Sequence, residues 1–135
     1  MEEIEKAYLA GLIDGEGTVT LSRKHSNETA SPEVSIANND LQLLAWVRNV
    51  VAAGKISLKR KNRPHHHQSY TWSIRDNKAI SFLNEIKNYL IVKKQQAELI
   101  ATSYKRCTPR NGKYTPEMLK RKLKLVAQIR KLNQR

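Results

Sequence analysis

Hydrophobic and small residues follow two periods along this chain, and the alternation between them predicts its elements. Ala7, Gly11 and Gly15 recur every four residues and form one bare stripe on a helix, flanked by Leu9, Leu12 and Ile13. The predicted helix runs from Glu2 to Gly15 and stops in Gly15-Glu16-Gly17, since glycine is the favoured terminator. A period of two follows. Thr18–Lys24 sets Val19 and Leu21 against Thr18, Thr20, Ser22 and Lys24, and Pro32–Ala37 sets Val34 and Ile36 against Ser35. The polar stretch His25–Ser31 joins these two strands as a long hairpin.

Asp40 then reads as the N-cap of a second helix carrying Leu41, Leu44, Val47 and Val51, with Gly54 as its stop. A second hairpin comes next. Lys55, Ser57, Lys59 and Lys61 share one side of its first strand. Its second strand buries Tyr70, Trp72 and Ile74 and exposes Ser69, Thr71, Ser73 and Arg75. Arg63, Pro64 and His65-His66-His67 form the turn, the histidines as a solvated tip rather than a metal site. Asp76 caps a third helix with Ile80, Leu83, Ile86 and Leu90. A fourth begins near Lys93 and carries Ala97, Ile100, Ala101 and Tyr104. After a loop over Cys107–Tyr114, Thr115-Pro116 starts a last helix with Leu119, Leu123, Val126 and Ile129 as its apolar stripe. Lys120, Arg121, Lys122, Lys124, Arg130 and Lys131 crowd its other face.

The order is α-β-β-α-β-β-α-α-α, with an internal α-β-β repeat. Four strands with one apolar and one polar face predict an α+β fold. An antiparallel sheet is covered by helices on one side, with additional C-terminal helices. A single domain over residues 1–135 is expected, with a core over 1–106 and the basic helix over 115–133.

Charge narrows the partners. Lys and Arg number 25 against 12 Asp and Glu, a net charge of +13. Five of the 12 acids (Glu2, Glu3, Glu5, Asp14, Glu16) fall in the first helix, and none lies between Asp40 and Asp76 or after Glu117. Such asymmetry favours a nucleic-acid partner over a merely solvated surface. Cys107 is the sole cysteine, which excludes an intrachain disulfide and suggests an intracellular, reducing compartment: cytoplasm, nucleoid or organelle matrix. No signal peptide or membrane-spanning run is visible, and no small-molecule or membrane partner is expected.

The bare helix invites close backbone approach to another protein helix, because each interior Gly costs about 1 kcal/mol that packing must offset. If two such helices pair, Glu16 meets its counterpart beside the negative helix end, and a divalent cation with oxygen ligands, Mg²⁺ or Ca²⁺, would relieve the repulsion. On spacing alone, a helix end with a solvated Glu16 is the simpler reading.

Leu9–Gly17, Leu-Ala-Gly-Leu-Ile-Asp-Gly-Glu-Gly, resembles the signature of the LAGLIDADG homing endonucleases, with Gly15 for Ala and Glu16 for Asp. It occurs once, which implies a single-motif member acting as a homodimer, and the element order fits that family's curved saddle of four strands lying over DNA. The resemblance implies that Glu16 ligates catalytic metal with the Gly15 carbonyl beside it, Mg²⁺ first, with Ca²⁺ or Mn²⁺ as substitutes. Asp14 would be structural, satisfying helix-end amides at the dimer interface with Ala7, Gly11 and Gly15. Lys93 matches a catalytic-pocket lysine, with Lys94 as the alternative. Asn38 and Gln42 would organise water around the metals. The extra methylene of Glu16 should still permit ligation. A cation common near Gln42 in the family is absent here.

The DNA-reading surface would comprise Thr18, Thr20, Ser22, Lys24, Ser35, Lys55, Ser57, Lys59, Lys61, Ser69, Thr71, Ser73 and Arg75. The implied activity is metal-dependent hydrolysis of both strands of a long, roughly palindromic double-stranded target across the minor groove, leaving short 3′ overhangs. The alternatives are an RNA-splicing maturase or a non-cleaving DNA-binding regulator on the same scaffold. Without the family, a basic RNA-binding module is a third.

Overall fold

A computed structural model describes residues 1–59 and 68–134. In chain order it contains α1 (Glu3–Glu16), β1 (Gly17–Ser22), β2 (Ser31–Asn38), α2 (Leu41–Val51), β3 (Lys55–Lys59), β4 (Ser69–Arg75), α3 (Asp76–Ile86), α4 (Lys94–Ser103) and α5 (Pro116–Asn133). Short 3₁₀ turns lie at Lys87–Tyr89 and Lys105–Cys107. The fold is α+β, in the order that hydrophobic period predicts. The hairpin turn expected at Arg63 to His67 lies outside the described residues.

The four strands form one antiparallel sheet in the order β1-β2-β4-β3, so the second strand of each hairpin lies inside. Strict alternation gives the sheet two unlike faces. Val19, Leu21, Val34, Ile36, Trp72 and Ile74 point to the helices and are buried. Fully burying a Val, Leu or Ile is worth about 1.5–3 kcal/mol, so this face fixes the strand registers. α1 seats Leu9, Ala10 and Ile13 on it, α2 seats Leu44 and Val47, and α3 seats Ala79, Ile80, Phe82 and Leu83. Trp72 fixes its indole by donating to the Ala53 carbonyl at 3.1 Å and packing edge-on to Phe82. That approach explains Gly54: at φ +106°, a Cβ there would collide with the indole.

Element ends differ from expectation in three places. α2 stops at Val51, before Gly54, and Ala52 takes the left-handed conformation at φ 60°. Asp76 is the first residue of α3 rather than its cap, at φ 59°, and Arg75 occupies the extended N-cap position. Aspartate tolerates that conformation better than most residues. α3 ends at Ile86, so Leu90 is buried from beyond the 3₁₀ turn. Asp40 does cap α2, accepting from the Leu43 amide at 3.2 Å, and Thr115 caps α5.

The largest correction concerns α5. Its buried residues are Lys122, Leu125 and Ile129, whereas Leu119 and Leu123 of the expected stripe are exposed. Lys122, expected on the solvent face, is 1% exposed. Its stem is apolar, and its ammonium finds a ready-made polar cage. Nζ donates to Thr108 Oγ1 at 3.0 Å and to Tyr114 Oη at 2.9 Å, and lies 4.2 Å from the centre of the Tyr104 ring. Thr29, in the β1–β2 connection, lies 3.0 Å from the same phenol oxygen. At the far end of α5, Asn133 donates to the Val19 carbonyl at 3.1 Å, which ties the helix to β1.

Burial opposes ionisation of the Tyr114 phenol, but hydrogen bonds from Lys122 and Thr29 and the Lys122 charge outweigh it and hold the phenol below its ordinary value of 10.0. A depressed pKa adds stability only as pH rises through the folded value towards the unfolded one, and nothing near neutrality. Titrated by phenolate absorbance, one tyrosine should ionise below the rest, and Lys122→Met should move it upward. Superimposable curves for the two proteins would refute this account.

Candidate active site

α1 ends where it does because Gly17 lets the chain turn directly into β1. A Cβ at Gly17 would stand 2.8 Å from Ile13 Cα, so close approach rather than unusual φ demands glycine here. The last turn of α1 contains no basic residue; the Gly17 amide bonds the Ile13 carbonyl, and the carbonyls after it lack helical partners. A distant residue supplies both needs. Lys93 Nζ donates to the carbonyls of Ile13 at 3.1 Å and Asp14 at 2.8 Å. Asp14 returns the contact: its carboxylate accepts from the amides of Ile91 at 2.7 Å and Lys93 at 3.0 Å. The cation is favoured at the negative helix end, and the acid is tolerated there because two N–H groups hold it. Asp14 thus satisfies amides of its own chain, and the buried Lys93 ammonium grips the helix that carries Glu16. Lys94, the alternative to Lys93, is exposed at the start of α4.

Glu16 lies two residues past this clasp, exposed at the end of α1. Asn38, the last residue of β2, donates from Nδ2 to Glu16 Oε2 at 2.8 Å. The Asn38 oxygen accepts the Asp40 amide at 2.8 Å, which turns its NH₂ towards Glu16. One continuous chain therefore runs from the α2 cap to the carboxylate. Gln42 is exposed in the first turn of α2. Glu16 and the Gly15 carbonyl, one of the last four of α1, are hard oxygen donors suited to Mg²⁺ or Ca²⁺. Among the described residues no three His, Cys, Asp or Glu side chains gather, so one chain offers part of a metal's ligand set.

The other face of α1 is open. A Cβ at Gly11 or Gly15 would meet nothing within 4 Å, and Ala7 is exposed beside them. Ile4 and Tyr8 are also exposed on this helix, with Tyr8 packed edge-on to Trp46 at 5.1 Å. Ile91 and Val92 are 87% and 56% exposed, although Asp14 pins the amides on either side of Val92. The apolar surface thus continues from the glycine stripe onto the segment before α4.

On the helix-free side of the sheet, register assembles rows. Thr18, Ser35, Ser73 and Lys55 form one across all four strands, and Thr71 and Ser57 pair in the next. Thr20 and Ser69 stand on this face too, Ser69 paired with Lys59. Lys24 is exposed beyond the end of β1, not within it, and Lys61 lies outside the described residues. Arg75 is engaged within the sheet, with Glu33, Ser22 and Ser31. Glu33 escaped the sequence reading, although alternation with Val34 places it outward.

The fold agrees with the comparisons. A family model described as a LAGLIDADG-like domain matches residues 3–131, and the chain belongs to that family. It is 35% identical over 95 residues to the intron-encoded DNA endonuclease aI3 of Saccharomyces cerevisiae. That match covers 67% of this chain but only 22% of the yeast protein. The fold is similar to the homing endonuclease I-CvuI in complex with its target, with a TM-score of 0.80, 18% identity and coverage of 98% of this chain and 83% of the other. It is also similar to the archaeal intron-encoded homing endonuclease I-Vdi141I complexed with DNA, with a TM-score of 0.76, 23% identity and coverage of 100% and 87%.

Lys93→Met retains the stem but removes both carbonyl contacts. It should destabilise the fold by roughly 2 kcal/mol or more, the scale of charge-assisted hydrogen bonds. Asp14→Ala should act in the same direction. An unaltered urea midpoint in both variants would show that the clasp contributes nothing to stability.

Proposed function

We propose that this chain is one subunit of a homodimeric, site-specific DNA endonuclease whose hydrolysis requires a divalent metal, Mg²⁺ by its oxygen chemistry. The observation that carries this reading is an exposed Glu16 at the end of an open glycine stripe, in a chain of this family. The yeast relative is described as an intron-encoded DNA endonuclease, and I-CvuI has been crystallised on DNA with Ca²⁺ and with Mg²⁺.

The reading assigns each surface a task. Two α1 helices pack along Ala7, Gly11 and Gly15, with Ile91 and Val92 extending the contact, and bring the two Glu16 carboxylates to the dyad. Asn38 orients each carboxylate, and Lys93 holds the helix end beneath it. The Lys93 cation also offsets negative charge at that end and on an adjacent phosphate. Gln42 would orient water at the same edge. Glu16 and the Gly15 carbonyl would hold the metal, which when bound activates a water and stabilises the leaving oxygen. Hydroxyls and lysines of the open sheet face contact phosphates and base edges in the major groove. Nearby paired sites cut across the minor groove and leave short 3′ overhangs on a roughly palindromic target.

Duplexes enriched by binding from a random pool provide a substrate. With Mg²⁺ the protein should cut both strands, and Glu16→Gln should bind but not cut. Equal cleavage by both proteins would remove Glu16 from the chemistry. Sedimentation should report a dimer that Gly11→Leu converts to monomer, because a leucine prevents close helix approach. An undisturbed dimer would place the interface elsewhere.

A further inference from the structure

Apart from Ala37, the described outward positions of the open sheet face carry hydroxyls and cations with one exception. Among the described outward positions of its four strands, Glu33 is the lone acid, at the middle of the row Thr20–Glu33–Arg75. A bare carboxylate on a face that meets phosphates is unfavourable. Arg75 neutralises it, donating from Nη1 to Glu33 Oε2 at 2.6 Å. Ser22 and Ser31 complete the cluster. Nη1 also donates to Ser22 Oγ at 3.1 Å, and Nη2 donates to the Ser22 carbonyl at 2.8 Å and to Ser31 Oγ at 3.1 Å. Ser22 Oγ donates to Glu33 Oε1 at 3.3 Å.

The donor inventory decides what this cluster can recognise. All four terminal N–H groups of Arg75 are spent, and Nε is buried with no partner among the described residues. The guanidinium therefore has no free fork for guanine N7 and O6. Each Glu33 oxygen takes one donor and keeps acceptor capacity, and the side chain is 28% exposed. The row presents an acceptor with no net charge, so it suits a base amino group better than a phosphate.

We infer that Glu33 is a specificity-determining residue that accepts from cytosine N4 in the major groove, once in each half-site, with Arg75 as its positioning residue. This rests on the DNA-endonuclease reading above. Adenine also offers an amino group, but acceptors flank it on both sides, N7 of its own ring and O4 of thymine. Cytosine N4 has an acceptor on one side only, so a two-oxygen acceptor meets less repulsion there. Register fixes where the contact falls: Glu33 lies one row further along the sheet than Ser35, on the β1–β2 hairpin end.

The test is selection of bound duplexes from a randomised pool by the wild type, Glu33→Gln and Arg75→Lys. The wild type should enrich a C·G pair at one symmetric position per half-site. Glu33→Gln should exchange it for A·T, because an amide pairs with adenine N6 and N7, with a change in preference of about tenfold or more at that pair alone. Arg75→Lys retains the charge but cannot hold four contacts, and should flatten preference at the same pair. Thermal melting checks that each variant is folded; should Glu33→Gln not fold, Arg75→Lys reads the same position. A merely structural ion pair would change affinity uniformly. An unchanged consensus in the folded variants, or a shift at a pair other than C·G, overturns the assignment alone. A wild type that enriches no sequence overturns the endonuclease reading and this assignment together.

Discussion

The site depends on a reciprocal grip at the end of α1. Lys93 gives its ammonium to two terminal carbonyls of that helix, and Asp14 gives its carboxylate to two amides before α4. Neither half is stable as a local feature. An acid in the last turn opposes the helix dipole, and a buried lysine needs acceptors to compensate its lost hydration. Each corrects the other's deficit across 79 residues of chain. The result is a fixed helix end, and therefore a fixed root for Glu16.

The same grip joins two surfaces. Ile91 and Val92 are held beside the glycine stripe because Asp14 anchors the backbone around them. A subunit packing on that surface would press on the segment whose next residue, Lys93, secures the end of α1. The apolar surface beside the glycine stripe and the position of Glu16 thus depend on one set of hydrogen bonds. On the opposite side, Asn38 couples the carboxylate to the end of β2 and to the cap of α2. Glu16 is held from both sheet and helix while its own surface stays open.

Much of this was legible in residue order. Alternation located all four strands and identified the buried face of β1, β2 and β4, because a one-residue slip would expose Val34, Ile36 and Trp72 together; β3 is the exception, with Leu58 exposed on its apolar side. The spacing of Ala7, Gly11 and Gly15 identified the open stripe, and Leu9–Gly17 identified the family. The errors have a common origin. Lys122 counts as polar in any pattern, yet its stem fits a core and its ammonium fits a cage drawn from the end of α4 and the connection before α5. Gly54 reads as a helix stop, yet its reason is a tryptophan from β4. Arg75 reads as a free cation, yet β2 and the end of β1 supply partners for its terminal N–H groups.

The sequence by itself determined the periodic elements, the sheet's two unlike faces, and the placement of a carboxylate at the end of a side-chain-poor helix. These follow from period, glycine chemistry and burial, which act over a few neighbouring residues. Tertiary structure alone decided which charges are engaged and which are exposed. Asp14, Lys93 and Arg75 are committed to partners remote in the chain, and Lys122 to side chains outside its own helix, whereas Glu16 keeps an exposed carboxylate. Hydrogen bonds and ion pairs are governed by distance in space, and residue order does not contain that distance until the chain has folded.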